Sequence, residues 1–114
     1  MKKTVALKEN RIFRSLYGGR SRGTPEFIMY YRKNRLDTNR LGITVSKKIG
    51  HAVERNRAKR VIREAYRLCE DRIKNGYDFV FVARSRTTKI PMTAVKTRME
   101  DIFGEEKIFA ESEL

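Results

Sequence analysis

Residues 77–83, Tyr-Asp-Phe-Val-Phe-Val-Ala, are a nearly unbroken apolar run of strand-forming residues. A strand with one face in water alternates apolar and polar side chains; a run without alternation predicts a strand buried on both faces. Such a strand needs a sheet around it and other elements against that sheet. The rest of the chain supplies them. Residues 27–32 alternate, with Phe27, Met29 and Tyr31 on one face and Ile28, Tyr30 and Arg32 on the other. Residues 40–46 alternate too, with Leu41, Ile43 and Val45 opposite Gly42, Thr44 and Ser46. Ahead of them, residues 7–17 carry Ile12, Phe13, Leu16 and Tyr17 at helical spacing and stop at Gly18-Gly19. Residues 18–25 read as a basic loop with room for a short extended piece. Pro91 opens a last helix, ending at Gly104, with Val95, Met99, Ile102 and Phe103 on its core side.

Between the strand at 40–46 and the run at 77–83 lies a helix over 52–74, ending near Asn75-Gly76. At about 100° per residue, Ala58, Val61, Ile62, Ala65 and Cys69 share one side. Asn56, Lys59, Arg60, Arg63 and Arg67 share the other. The expected fold is α+β: a single small domain with a central, mostly antiparallel sheet of about four strands and three helices, in the order αβββαβα. The domain covers residues 1–104, and residues 105–114 form an acidic tail that frays.

The cationic side of the long helix is unusual. Surface helices interleave acids four residues before bases, and here only Glu54 and Glu64 are near. Arg55 and Arg57 add positive charge to the positive pole of the helix, behind Lys47, Lys48 and His51. A helix start of that kind suits an anion such as phosphate. The whole chain agrees: its formal net charge is +13, and the first 99 residues hold 26 of the 27 bases but 8 of the 14 acids. Charge so lopsided implies a polyanionic partner. A membrane is the weaker choice, because no apolar run approaches the ~18 residues of a span and Lys2-Lys3 is not followed by a signal-peptide core. The single Cys69 cannot form an internal disulfide and fits a reducing cytoplasm.

No catalytic constellation emerges. One His and one Cys cannot build a zinc site. His51 has no evident nucleophile or carboxylate partner, and the acids of the body are scattered. Gly18-Gly19-Arg20-Ser21-Arg22-Gly23 lacks the strand-to-helix context of a nucleotide-binding loop. Phe13, Tyr17 and Tyr30 ordinarily belong to a core. An open aromatic face beside cations is, however, how proteins stack single-stranded bases while holding phosphates.

The stretch Arg40-x-Gly42-x-x-Val45-x-Lys47-Lys48-x-Gly50-x-Ala52-Val53-x-Arg55-Asn56-Arg57-x-Lys59-Arg60-x-x-Arg63-Glu64 resembles the signature of the bacterial ribonuclease P protein component. Leu7-Lys8 with Phe13 and Tyr17 looks like that family's first helix, and 27–30 like its first long strand. The resemblance implies a left-handed βαβ crossover through the long helix, against the usual handedness. It implies binding of the catalytic ribonuclease P RNA through Lys47, Lys48, Arg55, Asn56, Arg57, Lys59, Arg60, Arg63 and Arg67. It implies a cleft for the 5′ leader of precursor tRNA made by Phe13, Tyr17 and Tyr30, with Lys59 and Arg63 beside it. The RNA, with bound Mg2+, would carry the cleavage, and the protein would hold no metal, need no protein partner and work in the cytoplasm. Two departures stand out: Tyr17 replaces a frequent Phe, and Arg11-Ile12 replaces a frequent acidic or polar pair. The alternatives are a structural RNA-binding protein of ribosomal type, which would lack the aromatic cleft, and a DNA-binding module. The latter would need base-reading side chains in a helix-turn-helix context, where only Asn56 qualifies.

Overall fold

In the computed structural model, residues 3–8 and 10–110 are described. Five strands and three helices follow in the order β1 (Thr4–Ala6), α1 (Asn10–Leu16), β2 (Arg20–Gly23), β3 (Phe27–Lys33), β4 (Asn39–Thr44), α2 (Ala52–Cys69), β5 (Tyr77–Ala83) and α3 (Met92–Glu105). They form one sheet in the order β1-β4-β5-β3-β2. The α+β class holds, with five strands rather than about four. The sheet's two edges are its short strands, and β1 is the unexpected one. β1 lies parallel to β4, and β2, which is part of the expected basic loop, lies antiparallel to β3. The sheet is mixed rather than mostly antiparallel, because β4 and β5 are also parallel neighbours while β3 and β5 are antiparallel. Parallel neighbours need a crossover, and α2 is that crossover.

The central position of β5 explains its composition. Phe79, Val80 and Phe81 are wholly buried, with neighbours on both sides of the sheet. On one face Phe27, Met29, Tyr31, Leu41, Phe79 and Phe81 meet the apolar sides of α2 and α3 in the main core. The expected α2 stripe of Ala58, Val61, Ile62, Ala65 and Cys69 is buried, and Tyr66 joins it. Tyr66 is fully buried, its hydroxyl 2.8 Å from the Thr4 hydroxyl, and burial pushes its pKa up to about 12. The Cys69 thiol is likewise pushed up by burial, to about 11, and behaves as a small apolar filler. α2 stops earlier than residue 74: Cys69 passes into a single 3-10 turn, Glu70–Arg72.

On the other face a smaller core of Leu7, Leu16 and Val80 sits under α1, with Ile12, Phe13, Tyr30 and Val82 partly buried around it. α1 is shorter than expected. Leu7 is extended, its N–H donating to the Leu41 carbonyl at 2.9 Å, and Tyr17 lies in the following turn. Gly42 in β4 is where α1 touches the sheet: a Cβ there would lie 2.3 Å from the Phe13 ring, so only glycine admits that ring.

The expected frayed end is a correction. α3 continues through Gly104 to Glu105, and the chain then folds back. Ile108 is fully buried, and Phe109 packs edge-on against Phe103 with its ring under the Arg72 guanidinium. The Lys74 and Ala110 N–H groups donate to the Ile108 and Arg72 carbonyls. Two apolar residues among the acids, Ile108 and Phe109, anchor what charge alone suggested was a tail. The folded body therefore continues through residue 110, and the remainder of the expected tail, with Glu111 and Glu113, lies outside the described residues. So do residues 1, 2 and 9.

Candidate nucleic-acid interface

α2 is amphipathic, and its buried stripe fixes which residues face water. Asn56, Lys59, Arg60 and Arg63 are exposed along one side. At its start, Lys47–Ile49 form one 3-10 turn. The Ser46 hydroxyl caps it by accepting from the Lys48 N–H at 3.2 Å, and Lys47 and Lys48 are exposed. These six side chains form no ion pair with any described residue, so they make a continuous field of uncompensated donors.

Three of the nine sequence-derived residues stand apart. Arg55 is half-buried, its guanidinium 3.4 Å from the Gly50 carbonyl. Arg57 donates to the Thr88 and Ile90 carbonyls at 3.5 and 3.3 Å. That ties α2 to the link before α3, a structural duty in the middle of the signature. Arg67 is paired with Glu64 one turn back. The hydrogen bond from Arg67 holds the Glu64 carboxyl below its usual value, and the same pairing raises Arg67. The positive strip therefore thins towards the end of α2.

Phe13, Lys59 and Arg63 are brought together. They line a cleft of about 210 Å³ with Leu7, Gly42 and Ile43, between α1 and α2 at the edge of β4 that β1 leaves uncovered. The cleft has an aromatic and aliphatic floor with two cations on one wall. Tyr17 and Tyr30 are not in its lining. They pair edge-on, ring centres 4.9 Å apart, beside α1 on the same side of the sheet, and Tyr17 is 44% exposed. The sequence-derived set is thus one face in two pieces: a cleft and an adjoining tyrosine pair.

Two positioning features were missed from sequence. One is Gly42, whose missing side chain seats Phe13. The other is Asp78, the acid inside the nearly unbroken apolar run. It is completely buried, and accepts from Arg40 Nε and Nη2 at 2.7 and 2.8 Å, from Asn34 Nδ2 at 2.9 Å, and from Arg32 Nε at 3.4 Å. Burial alone would raise its carboxyl. The hydrogen bonds from Arg40 and Asn34 and the charges of Arg40 and Arg32 outweigh burial and hold it below the usual range. An acid inside an apolar strand is itself a signal, since buried charge is kept only when paired. Among the described residues no group of three His, Cys, Asp or Glu could hold a metal. No described helix is long and apolar enough to cross a membrane.

The chain matches the Ribonuclease P family over residues 1–107. It is 36% identical over 113 residues to the ribonuclease P protein component of Thermoanaerobacter sp. (strain X514), covering 98% of this chain and 97% of that one. It is 48% identical over 84 residues to that of Clostridioides difficile (strain 630), covering 72% and 74%. Among solved structures, the RNase P protein of Staphylococcus aureus superposes with a TM-score of 0.80 at 33% identity, covering 92% of this chain and 97% of that chain. The RNase P protein from Thermotoga maritima does so with a TM-score of 0.76 at 30% identity, covering 85% and 93%. A match along almost the whole sequence, on the same fold and including the signature turn and helix, places this chain in the ribonuclease P protein family.

Proposed function

We propose that this chain binds the catalytic RNA of ribonuclease P through the cationic strip of α2 and the turn before it, and receives the 5′ leader of precursor tRNA in the cleft and on the tyrosine pair. The observation that carries this is the meeting of Phe13 with Lys59 and Arg63 in one cleft, bordered by exposed donors on the same helix. Cations neutralise phosphates and release counterions. Exposed aromatic rings stack unpaired bases with little sequence preference. The protein supplies no acid, base or nucleophile to the reaction. Cleavage belongs to the RNA and its Mg2+, and the site of action is the cytoplasm. No protein partner is needed for this role.

The test is precursor-tRNA cleavage by a bacterial ribonuclease P RNA at limiting Mg2+, with and without the protein, using long and very short leaders. Stimulation that grows with leader length is expected. Tyr30→Ala should weaken binding of the long-leader substrate by about five- to tenfold, the low end of the ~1–3 kcal/mol for one stacked base, because Tyr30 is half-buried, and leave the shortest leader unaffected. Stimulation without leader dependence would reject the cleft assignment; no stimulation by folded protein would point to a structural RNA-binding role. Arg60→Ala with Arg63→Ala should flatten the salt dependence of RNA binding by roughly two contacts, ~0.7–0.9 each in slope. An unchanged slope would remove those arginines from the interface.

A further inference from the structure

Three charged side chains stand in a row across the central strands. Asp78 of β5 lies in register with Arg32 of β3 on one side and with Arg40 of β4 on the other. Alternation along β5 puts Asp78 on the same face as Val80, the face that α1 covers. Arg40 gives two donors, Nε and Nη2, to the Asp78 carboxylate at 2.7 and 2.8 Å. Arg32 is used differently. Its Nε donates to Asp78 Oδ2 at 3.4 Å, while its Nη1 donates to the Ser15 hydroxyl of α1 at 2.8 Å. That hydroxyl in turn donates to the Ile12 carbonyl at 2.8 Å. Arg32 thus joins a buried carboxylate to the last turn of α1. We propose that Arg32 is a positioning residue for leader binding: braced on Asp78, it holds the end of α1 through Ser15 and so sets Tyr17 against Tyr30. This rests on the reading of the tyrosine pair as part of the leader surface.

α1 has seven residues, too few to be a stable helix alone, so its place is decided by what it touches. Beneath it are Leu16, fully buried, and Ile12 and Phe13, partly buried. Apolar contact is non-directional. It fixes how close the helix lies to the sheet and leaves it free to rotate and slide. A hydrogen bond is directional, and Ser15 makes one to the sheet. Ser15 lies two residues before Tyr17, whose exposed ring meets Tyr30 edge-on with centres 4.9 Å apart. Tyr30 lies two residues before Arg32, on the same face of β3. One strand therefore carries both the ring that Tyr17 meets and the side chain that fixes where Tyr17 stands.

The position suits an arginine. The guanidinium is a planar fork whose donors leave in different directions, so Nε and Nη1 reach two acceptors at once. A lysine ammonium there would keep the charge but only as a single point. The same geometry disfavours Arg32 as a direct phosphate ligand: its charge is opposed by Asp78, and two of its donors are taken up by the protein. Lys59 and Arg63, exposed on the wall of the cleft, are better placed for that.

The test measures binding of precursor tRNA, with long and very short leaders, to the assembled ribonuclease P RNA–protein complex. The variants are Ser15→Ala, Arg32→Lys, Arg32→Gln, Ser15→Ala with Arg32→Lys, and Tyr30→Ala as the control for leader stacking. Ser15 is exposed and alanine favours a helix. Replacing Arg32 leaves Asp78 with Arg40 and Asn34. Folding is therefore retained, which thermal melts check. Ser15→Ala and Arg32→Lys should each weaken long-leader binding by about fivefold, the lower bound for one stacked base, with short-leader binding unchanged. The double variant should be no weaker than the weaker-binding single one, because both changes break the same tie. The salt slope of Arg32→Gln should equal that of wild type, since no phosphate contact is lost. Full long-leader affinity in Ser15→Ala overturns the positioning role. So does full affinity in Arg32→Lys with a slope lowered by ~0.7 in Arg32→Gln, the mark of a direct phosphate contact. Equal losses for long and short leaders overturn it as well. In each case a leader-dependent loss in Tyr30→Ala leaves the functional reading standing; a Tyr30→Ala variant indifferent to leader length removes both.

Discussion

Asp78→Ala is expected to lower the unfolding free energy by about 3 kcal/mol at neutral pH, with a fall in Tm on the order of 15 °C. The carboxylate is wholly buried and gathers two arginines and an asparagine from β3, the following turn and β4. Removing it leaves those cations crowded in a body that already repels itself. Breaking a buried pair from one side typically costs about 3–5 kcal/mol. The low end applies because the Arg40 and Arg32 side chains keep 25% and 38% of their exposure. The effect must depend on pH in one direction. The folded carboxyl titrates below its unfolded value of about 3.9. Its contribution is present in full above that value and is lost as pH falls through the folded value. Urea melts from neutral pH down to about pH 3 should therefore show the gap between wild type and variant closing in acid. A gap that stays constant would mean that Asp78 acts by packing rather than by charge.

Gly42→Ala should damage the cleft more than the fold. The new methyl would stand 2.3 Å from the far end of the Phe13 ring, so the ring must shift within the cleft it lines. Overpacking of this kind costs about 1–3 kcal/mol in stability. A displaced Phe13 would fill part of the roughly 210 Å³ between α1 and α2. Binding of long-leader precursor tRNA should fall by about tenfold, one stacked base's worth, while binding of the ribonuclease P RNA alone stays near wild type. Phe13→Ala combined with Gly42→Ala should recover the stability lost to the clash but not the leader affinity. Equal loss for both RNAs would show that the change reaches α2 and not the cleft alone.

The periodicities that reveal this fold are those of its long, half-buried elements. β3, β4 and the α2 stripe are legible because each has one face in the core and one in water, so composition alternates at the structural period. β5 is legible for the opposite reason, having no wet face. What was hidden depends on partners distant in sequence. β1 is three residues long and exists because β4 offers it an edge. β2 is Arg-Ser-Arg-Gly, a composition that allows only a short extended piece, and its strand is held by pairing to β3. The closing segment after Gly104 looked like solvated acid because Ile108 and Phe109 are too few to make a pattern. At the interface, helical spacing separated Lys59, Arg60 and Arg63 from the core correctly. Arg57 joined the RNA-binding set through the family signature, and nothing local in the sequence showed its other duty, because the carbonyls that hold it lie some thirty residues on, at Thr88 and Ile90.

The crossover position of α2 bears on how the surface meets its ligand. The helix is the only covalent link between β4 and β5, two adjacent strands at the middle of the sheet. Its inner side is buried along its length, so it has no way to melt alone without opening the main core. Its amides should exchange with deuterium only through global unfolding, unlike those of α1, which rests on a small cluster. A polyanion then meets a surface that is rigid before contact. Association needs no ordering of backbone, and little apolar area changes hands. Calorimetry should accordingly find a small heat-capacity change for the protein's share of binding, with an entropy gain from released counterions, in place of the large negative value that accompanies coupled folding.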